Sequence, residues 1–183
     1  MNTTITYKID ENDFLTHQLY IASKSDSIRK KRKRSKLSVA LVYVAFALLS
    51  YFWDNYVMAA FFFLFGVLWF FIYPIWEKKY YRKHYQNFID EHYKNRVGKM
   101  ATVTFSNDFI LAQDDGSESK VYTTEIEEII EIPTTILVKL KGGQSFIFPK
   151  DKIHAFENLK TSLQELAIHL KIKYTIEADW EWK

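Results

Sequence analysis

Apolar and polar positions follow three different rhythms along the chain. Residues 37–53 and 55–76 contain no charged side chain and are apolar all round, with no polar stripe at helical period. They predict two helices of 17 and 22 residues. At 1.5 Å per residue these are about 26 and 33 Å long, against a bilayer hydrocarbon core of about 30 Å. Asp54-Asn55 is the one polar break, so residues 37–76 read as a tight transmembrane helical hairpin. Lys36 can snorkel and Ser35 can extend the shorter span into the headgroups. A buried hairpin would need more protein to cover it than one short domain supplies. A cleaved leader fits badly, because 36 residues precede the apolar run and Tyr51-Phe52-Trp53 lacks the small residues of a cleavage site.

From Met100 the period changes to two. Ala101, Val103 and Phe105 alternate with Thr102 and Thr104, and residues 109–113 follow as a second strand. Asp114-Asp115-Gly116 forms a hairpin tip, followed by strands at 120–123 and 126–132. Ile136, Val138 and Leu140 lead into Gly142-Gly143, which predicts a two-residue hairpin turn before Phe146 and Phe148. That makes about six antiparallel strands. The third rhythm is helical: Phe156, Leu159, Leu163, Leu166 and Leu170 form one apolar stripe. Strands followed by a single one-faced helix predict an α+β fold, an antiparallel curled sheet capped by a C-terminal helix.

Shorter patterns complete the organisation. Phe14, Leu15, Leu19 and Ile21 predict a helix over 10–24. Tyr81, Tyr85, Phe88, His92 and Tyr93 predict a juxtamembrane helix over 77–97, and Pro74 is expected to kink the second span as it leaves the bilayer. The divisions are thus 1–36 (strand, short helix and basic collar), 37–76 (hairpin), 77–99 (juxtamembrane helix), 100–173 (domain) and 174–183 (acidic tail with Trp180 and Trp182).

Charge sharpens these divisions. Residues 1–36 hold nine basic and four acidic side chains, net +5; 37–76 hold only Asp54; 77–99 are net +4; 100–183 are net −5. Arg29, Lys30, Lys31, Arg32, Lys33, Arg34 and Lys36 abut the first span, and Lys78, Lys79, Arg82 and Lys83 follow the second. This distribution predicts a cell-membrane protein with both termini cytoplasmic and a collar that attracts anionic headgroups. Tyr51, Trp53 and Tyr56 suit the outer interface; Trp69, Tyr73 and Trp76 suit the inner one. The run 29–36 lacks the aromatic platforms of a nucleic-acid surface, so no nucleic acid is expected. The acidic domain is expected to stand off anionic lipid, with a face left for an unknown protein partner.

The strand-rich region resembles a known family. The DDG hairpin, the EIEEIIEI segment, the ILVKLKGGQSFIFPK hairpin and the closing helix, placed after two spans, are similar to the YcxB-like membrane protein family. The resemblance implies a pleckstrin-homology-like (PH-like) domain of seven strands with a helix cap, and no established enzymatic activity. The six strands counted after the spans leave one missing. Residues 3–9, with alternating Ile5, Tyr7 and Ile9, are the candidate for the seventh.

Candidate chemistry is sparse. The absence of Cys excludes disulfides, thiolate metal sites and Cys nucleophiles. His17, His84, His92, His154 and His169 show no metal-ligand spacing. Glu125, Glu127, Glu128 and Glu131 read as a solvated strand face, and Gly142-Gly143 lacks the further glycines and the helix of a phosphate loop. No catalytic residue, cofactor or metal is assigned. Two function classes follow: a non-enzymatic membrane-held interaction module, or an oligomerising channel-like or membrane-perturbing protein. The lack of a polar face on either span favours the module, and homo-oligomers fit both.

Overall fold

A computed structural model describes residues 3–183. In chain order the elements are β1 Thr3–Lys8, α1 Glu11–Lys24, α2 Asp26–Phe52, α3 Tyr56–His92, β2 Met100–Phe105, β3 Phe109–Asp114, β4 Ser117–Tyr122, β5 Ile126–Glu131, β6 Thr135–Leu140, β7 Ser145–Pro149, α4 Phe156–Leu170 and β8 Lys173–Ile176. They form two compact units. One contains the chain up to His17 together with Phe88–Glu181; the other contains Gln18–Asn87 with Trp182–Lys183.

The first unit is α+β, with two four-stranded sheets ordered β1-β2-β3-β4 and β7-β6-β5-β8. All neighbours are antiparallel except β5 and β8. Residues 3–8 do supply an extra strand, running from Thr3↔Phe105 to Lys8↔Met100 against β2. The inward residues Ile5, Tyr7, Val103, Phe105 and Ile110 share one core cluster with Ile129, Val138 and Phe148 of the second sheet. Phe148 is its hinge of packing, its ring 5.6 Å from Tyr7 and 5.5 Å from Phe105. Helix α4 adds Leu159, Leu163 and Leu166 from the expected stripe. The outward face of the first sheet is polar, with Thr4 and Thr6 hydroxyls bonded across to Thr104 and Thr102 at 3.0 and 3.1 Å.

Three expectations need correction here. There are two sheets rather than one curled sheet, and they include an eighth strand, β8, in a segment read as tail. The β6–β7 connection is a four-residue loop, residues 141–144, rather than a two-residue turn. Leu140 N–H donates to the Gln144 carbonyl and Gly143 N–H to the Leu140 carbonyl, with Gly143 at φ 83° in the left-handed region. Glu131 is buried in β5 rather than solvated.

The second unit is a helical hairpin. Helix α2 carries the collar 29–36 and the first apolar run without a break, and its N-terminus is capped by Ser25 Oγ accepting from Ile28 N–H. It ends at Phe52. Asp54, at φ 55°, turns the chain, and Asn55 Oδ1 accepts from Met58 N–H to start α3. The separate juxtamembrane helix does not exist: α3 runs continuously through Pro74 to His92. A Cβ at Gly66 would meet Tyr43 Cβ at 3.2 Å, so glycine here sets the close approach of the two helices. Many of their other apolar side chains are bare, Phe52 at 76%, Val57 at 81% and Phe71 at 69% exposed. Both helices are long and apolar enough to cross a membrane.

Candidate interaction site at the basic collar

The collar residues fall into two groups. Lys30, Lys31, Lys33, Arg34, Lys78, Lys79, Arg82 and Lys83 are all exposed, as is Arg29, which pairs with its neighbour Asp26 one turn earlier. Arg32 and Lys36 are half-buried. Lys36 Nζ lies 3.6 Å from the centre of the Phe70 ring, six residues inside the second apolar run, so its ammonium packs on that aromatic face rather than extending toward the headgroups.

Arg32 is the organising residue. Its Nε lies 3.1 Å from Glu77 Oε2, and its Nη2 donates to the Lys183 carbonyl at 2.7 Å. Glu77 is buried, and its other oxygen accepts from the Tyr73 hydroxyl at 3.0 Å one helical turn earlier. The Arg32 guanidinium also faces the Trp182 ring at 4.8 Å and the Tyr81 ring at 5.8 Å. Trp182 is buried, packs edge-on to Tyr81, and donates Nε1–H to the Lys78 carbonyl at 3.4 Å. Trp182 is thus seated on the hairpin helices, not frayed. Glu77 is the one acid beside Lys78, Lys79, Arg82 and Lys83, and that was the available signal: a lone carboxylate in a basic run is placed there to pair. Nothing in the local pattern pointed from Trp182 to Arg32.

The folded domain has two polar centres of its own. Glu131 Oε1 accepts from Lys150 Nζ at 2.7 Å and Lys160 Nζ at 3.0 Å, and Oε2 accepts from the Tyr174 hydroxyl at 2.9 Å. Burial pushes this carboxyl up, but the hydrogen bonds from Lys150, Lys160 and Tyr174 outweigh it and hold the group below its ordinary value. Burial, and then the same contact with Glu131, pushes the Tyr174 hydroxyl up. The second centre caps α1: Asp10 and Asp13 each accept the other's backbone N–H, at 3.0 and 2.8 Å, and Lys152 bridges both carboxylates. Among the described residues no group of three or more His, Asp or Glu could hold a metal ion. His17 stands apart, its Nε2 buried without a hydrogen-bond partner.

Comparison with known proteins bears on the domain. Residues 105–161 match the family model described as YcxB-like protein. This stretch is similar to the YcxB-like family. No curated protein and no solved structure matches the chain. The YcxB-like stretch contains Glu131, Lys150 and Lys160, the carboxylate and both ammonium groups of the first polar centre. Strand β1, the hairpin and Tyr174 lie outside it.

Proposed function

We propose that the chain is a multi-pass membrane protein whose hairpin holds a non-enzymatic, PH-like domain at the cytoplasmic face for protein contacts. The observation that carries this reading is the β1–β2 ladder. Strand β1 precedes the two apolar helices and β2 follows them, so pairing requires that the chain cross the bilayer an even number of times. Two crossings by α2 and α3 satisfy that requirement. The positive-inside rule then selects the cytoplasm, because nine exposed basic residues flank the open end and Asp54 is the only charge at the tip. The PH-like reading is supported by the order of elements: four strands in one antiparallel sheet, three strands of the second, then a helix, with β8 added to the second sheet after it.

The test is a pair of reporter fusions, one inserted at Asn55 and one after Lys183. A cytoplasm-active reporter should work after Lys183 and fail at Asn55. Activity of an exported reporter after Lys183 overturns the orientation. Co-purification of proteins by the full-length chain, lost when exposed residues of the domain are changed, separates a protein-contact role from a lipid-only one.

A further inference from the structure

Strand β4 ends the first sheet and is the least covered strand of the fold. Ser117, Glu118, Ser119, Lys120 and Tyr122 are exposed and only Val121 is half-buried. On its inner side β4 pairs with β3 from Asp114↔Ser117 to Phe109↔Tyr122. Just beyond, Thr123 N–H donates to the Asp108 carbonyl. Antiparallel ladders alternate, so residues 117, 119, 121 and 123 turn their backbone groups to β3. Residues 118, 120 and 122 therefore turn theirs outward, toward an edge that no strand among the described residues covers.

We propose that this edge pairs with β4 of a second copy of the chain, joining two four-stranded sheets into one. A two-fold antiparallel pairing can place only outward-facing residues opposite one another, which leaves a few registers. Centring on Glu118 sets glutamate against glutamate, and centring on Lys120 sets lysine against lysine. Centring on Ser119 sets Glu118 against the second copy's Lys120 and, by symmetry, Lys120 against its Glu118. That register also places Tyr122, 61% exposed, opposite Gly116 of the other copy, where an aromatic ring covers a bare backbone. Charges on an edge strand usually prevent association. Here one charge of each sign, two residues apart, excludes the wrong registers and favours one.

The chain contains no cysteine, so Ser119→Cys gives the full-length protein a single thiol where the two-fold axis crosses. Residues facing each other there form a non-hydrogen-bonded pair with Cα atoms about 4.5 Å apart, within disulfide range. Mild oxidation in native membranes should yield a disulfide-linked dimer. Adding Glu118→Lys puts lysine opposite lysine twice and should lower the yield about tenfold; adding Lys120→Glu as well should restore it. A thiol at the exposed Glu157 of α4 reports random collision and should cross-link weakly. No dimer from Ser119→Cys, a yield matched by Glu157→Cys, a yield unmoved by Glu118→Lys, or a charge swap that fails to rescue each overturns the proposal.

Discussion

The Tyr174 hydroxyl donates to Oε2 of Glu131 at 2.9 Å, fastening β8 to β5 beside their parallel ladder. Because Lys150 and Lys160 occupy the other oxygen, this one carboxylate ties β5, α4, β8 and the turn after β7 together. Removing its charge leaves two ammonium groups that can reach water and a tyrosine hydroxyl that cannot fully do so. Glu131→Gln should therefore destabilise the domain by about 2 kcal/mol, read as a lowered midpoint in thermal unfolding of the detergent-solubilised protein. Tyr174→Phe should cost less, about 1 kcal/mol. An unchanged midpoint for Glu131→Gln would show that the cluster is solvated in solution.

The same carboxylate sets an acid limit. Folding holds Glu131 below its ordinary value of 4.5. Its contribution is complete above that value and is withdrawn as pH falls through the depressed one. Acid unfolding of the native protein should thus show a steep component below pH 4.5 that the Glu131→Gln variant lacks.

His17 acts at a milder pH. Burial holds its imidazole down at about 4, against 6.5 when unfolded. Between those values the unfolded chain takes up a proton that the folded chain refuses, so stability declines as pH falls from 6.5 toward 4, by up to about 1.4 kcal/mol per pH unit. His17→Gln should flatten that part of the stability profile. A slope equal to that of the native protein would assign it to other groups.

Two arginines three residues apart should behave differently. Arg29 is 63% exposed in its pair with Asp26, whereas Arg32 is 21% exposed and its partner Glu77 only 6%. Arg29→Ala should change stability by no more than about 0.5 kcal/mol. Arg32→Ala strands a buried carboxylate and removes the surface on which Trp182 lies, costing about 2 kcal/mol or more. Resistance to unfolding in a denaturing detergent distinguishes the two, and equal losses would deny the cluster its special standing.

Strand β1 should be indispensable to the domain. Ile5 is 7% exposed in the shared core, so Ile5→Ala should cost about 2–4 kcal/mol. Thr6→Val, on the outward face, should cost far less. Limited proteolysis of the domain provides the readout; equal protease resistance of Ile5→Ala and the native protein would mean that β1 adds nothing to the core.

These contrasts also mark what the sequence made legible. The hairpin, α1, α4 and β1 each carry several repeats of one period, and β1 was recognisable because Ile5 and Tyr7 alternate with threonines. Strand β8 has four residues and a parallel partner, so no hairpin turn announces it. Glu131 was hidden by a shift of pairing register between Ile126 and Glu128, after which both faces of β5 are buried. Alternation alone placed it with its solvated neighbours. Exposure of β4 depends on which strands lie beside it, and that information belongs to the sheet order.

Synthesis of this chain imposes a delay on its first strand. Thr3 pairs with Phe105, and the whole hairpin lies between them. At about 5–20 residues per second, β1 leaves the ribosome roughly 5–20 s before its partner. During that interval α2 and α3 emerge and, in the proposed topology, enter the lipid, while Ile5 and Tyr7 have no β2 to pair with. The first sheet is thus completed by a strand made long before its partner, and in the proposed two-span topology only a chain whose hairpin leaves both ends on one side can complete it. In the proposed topology, assembly of the sheet then serves as a check on insertion: a molecule whose hairpin crosses only once keeps β1 and β2 on opposite sides, with the domain unfinished.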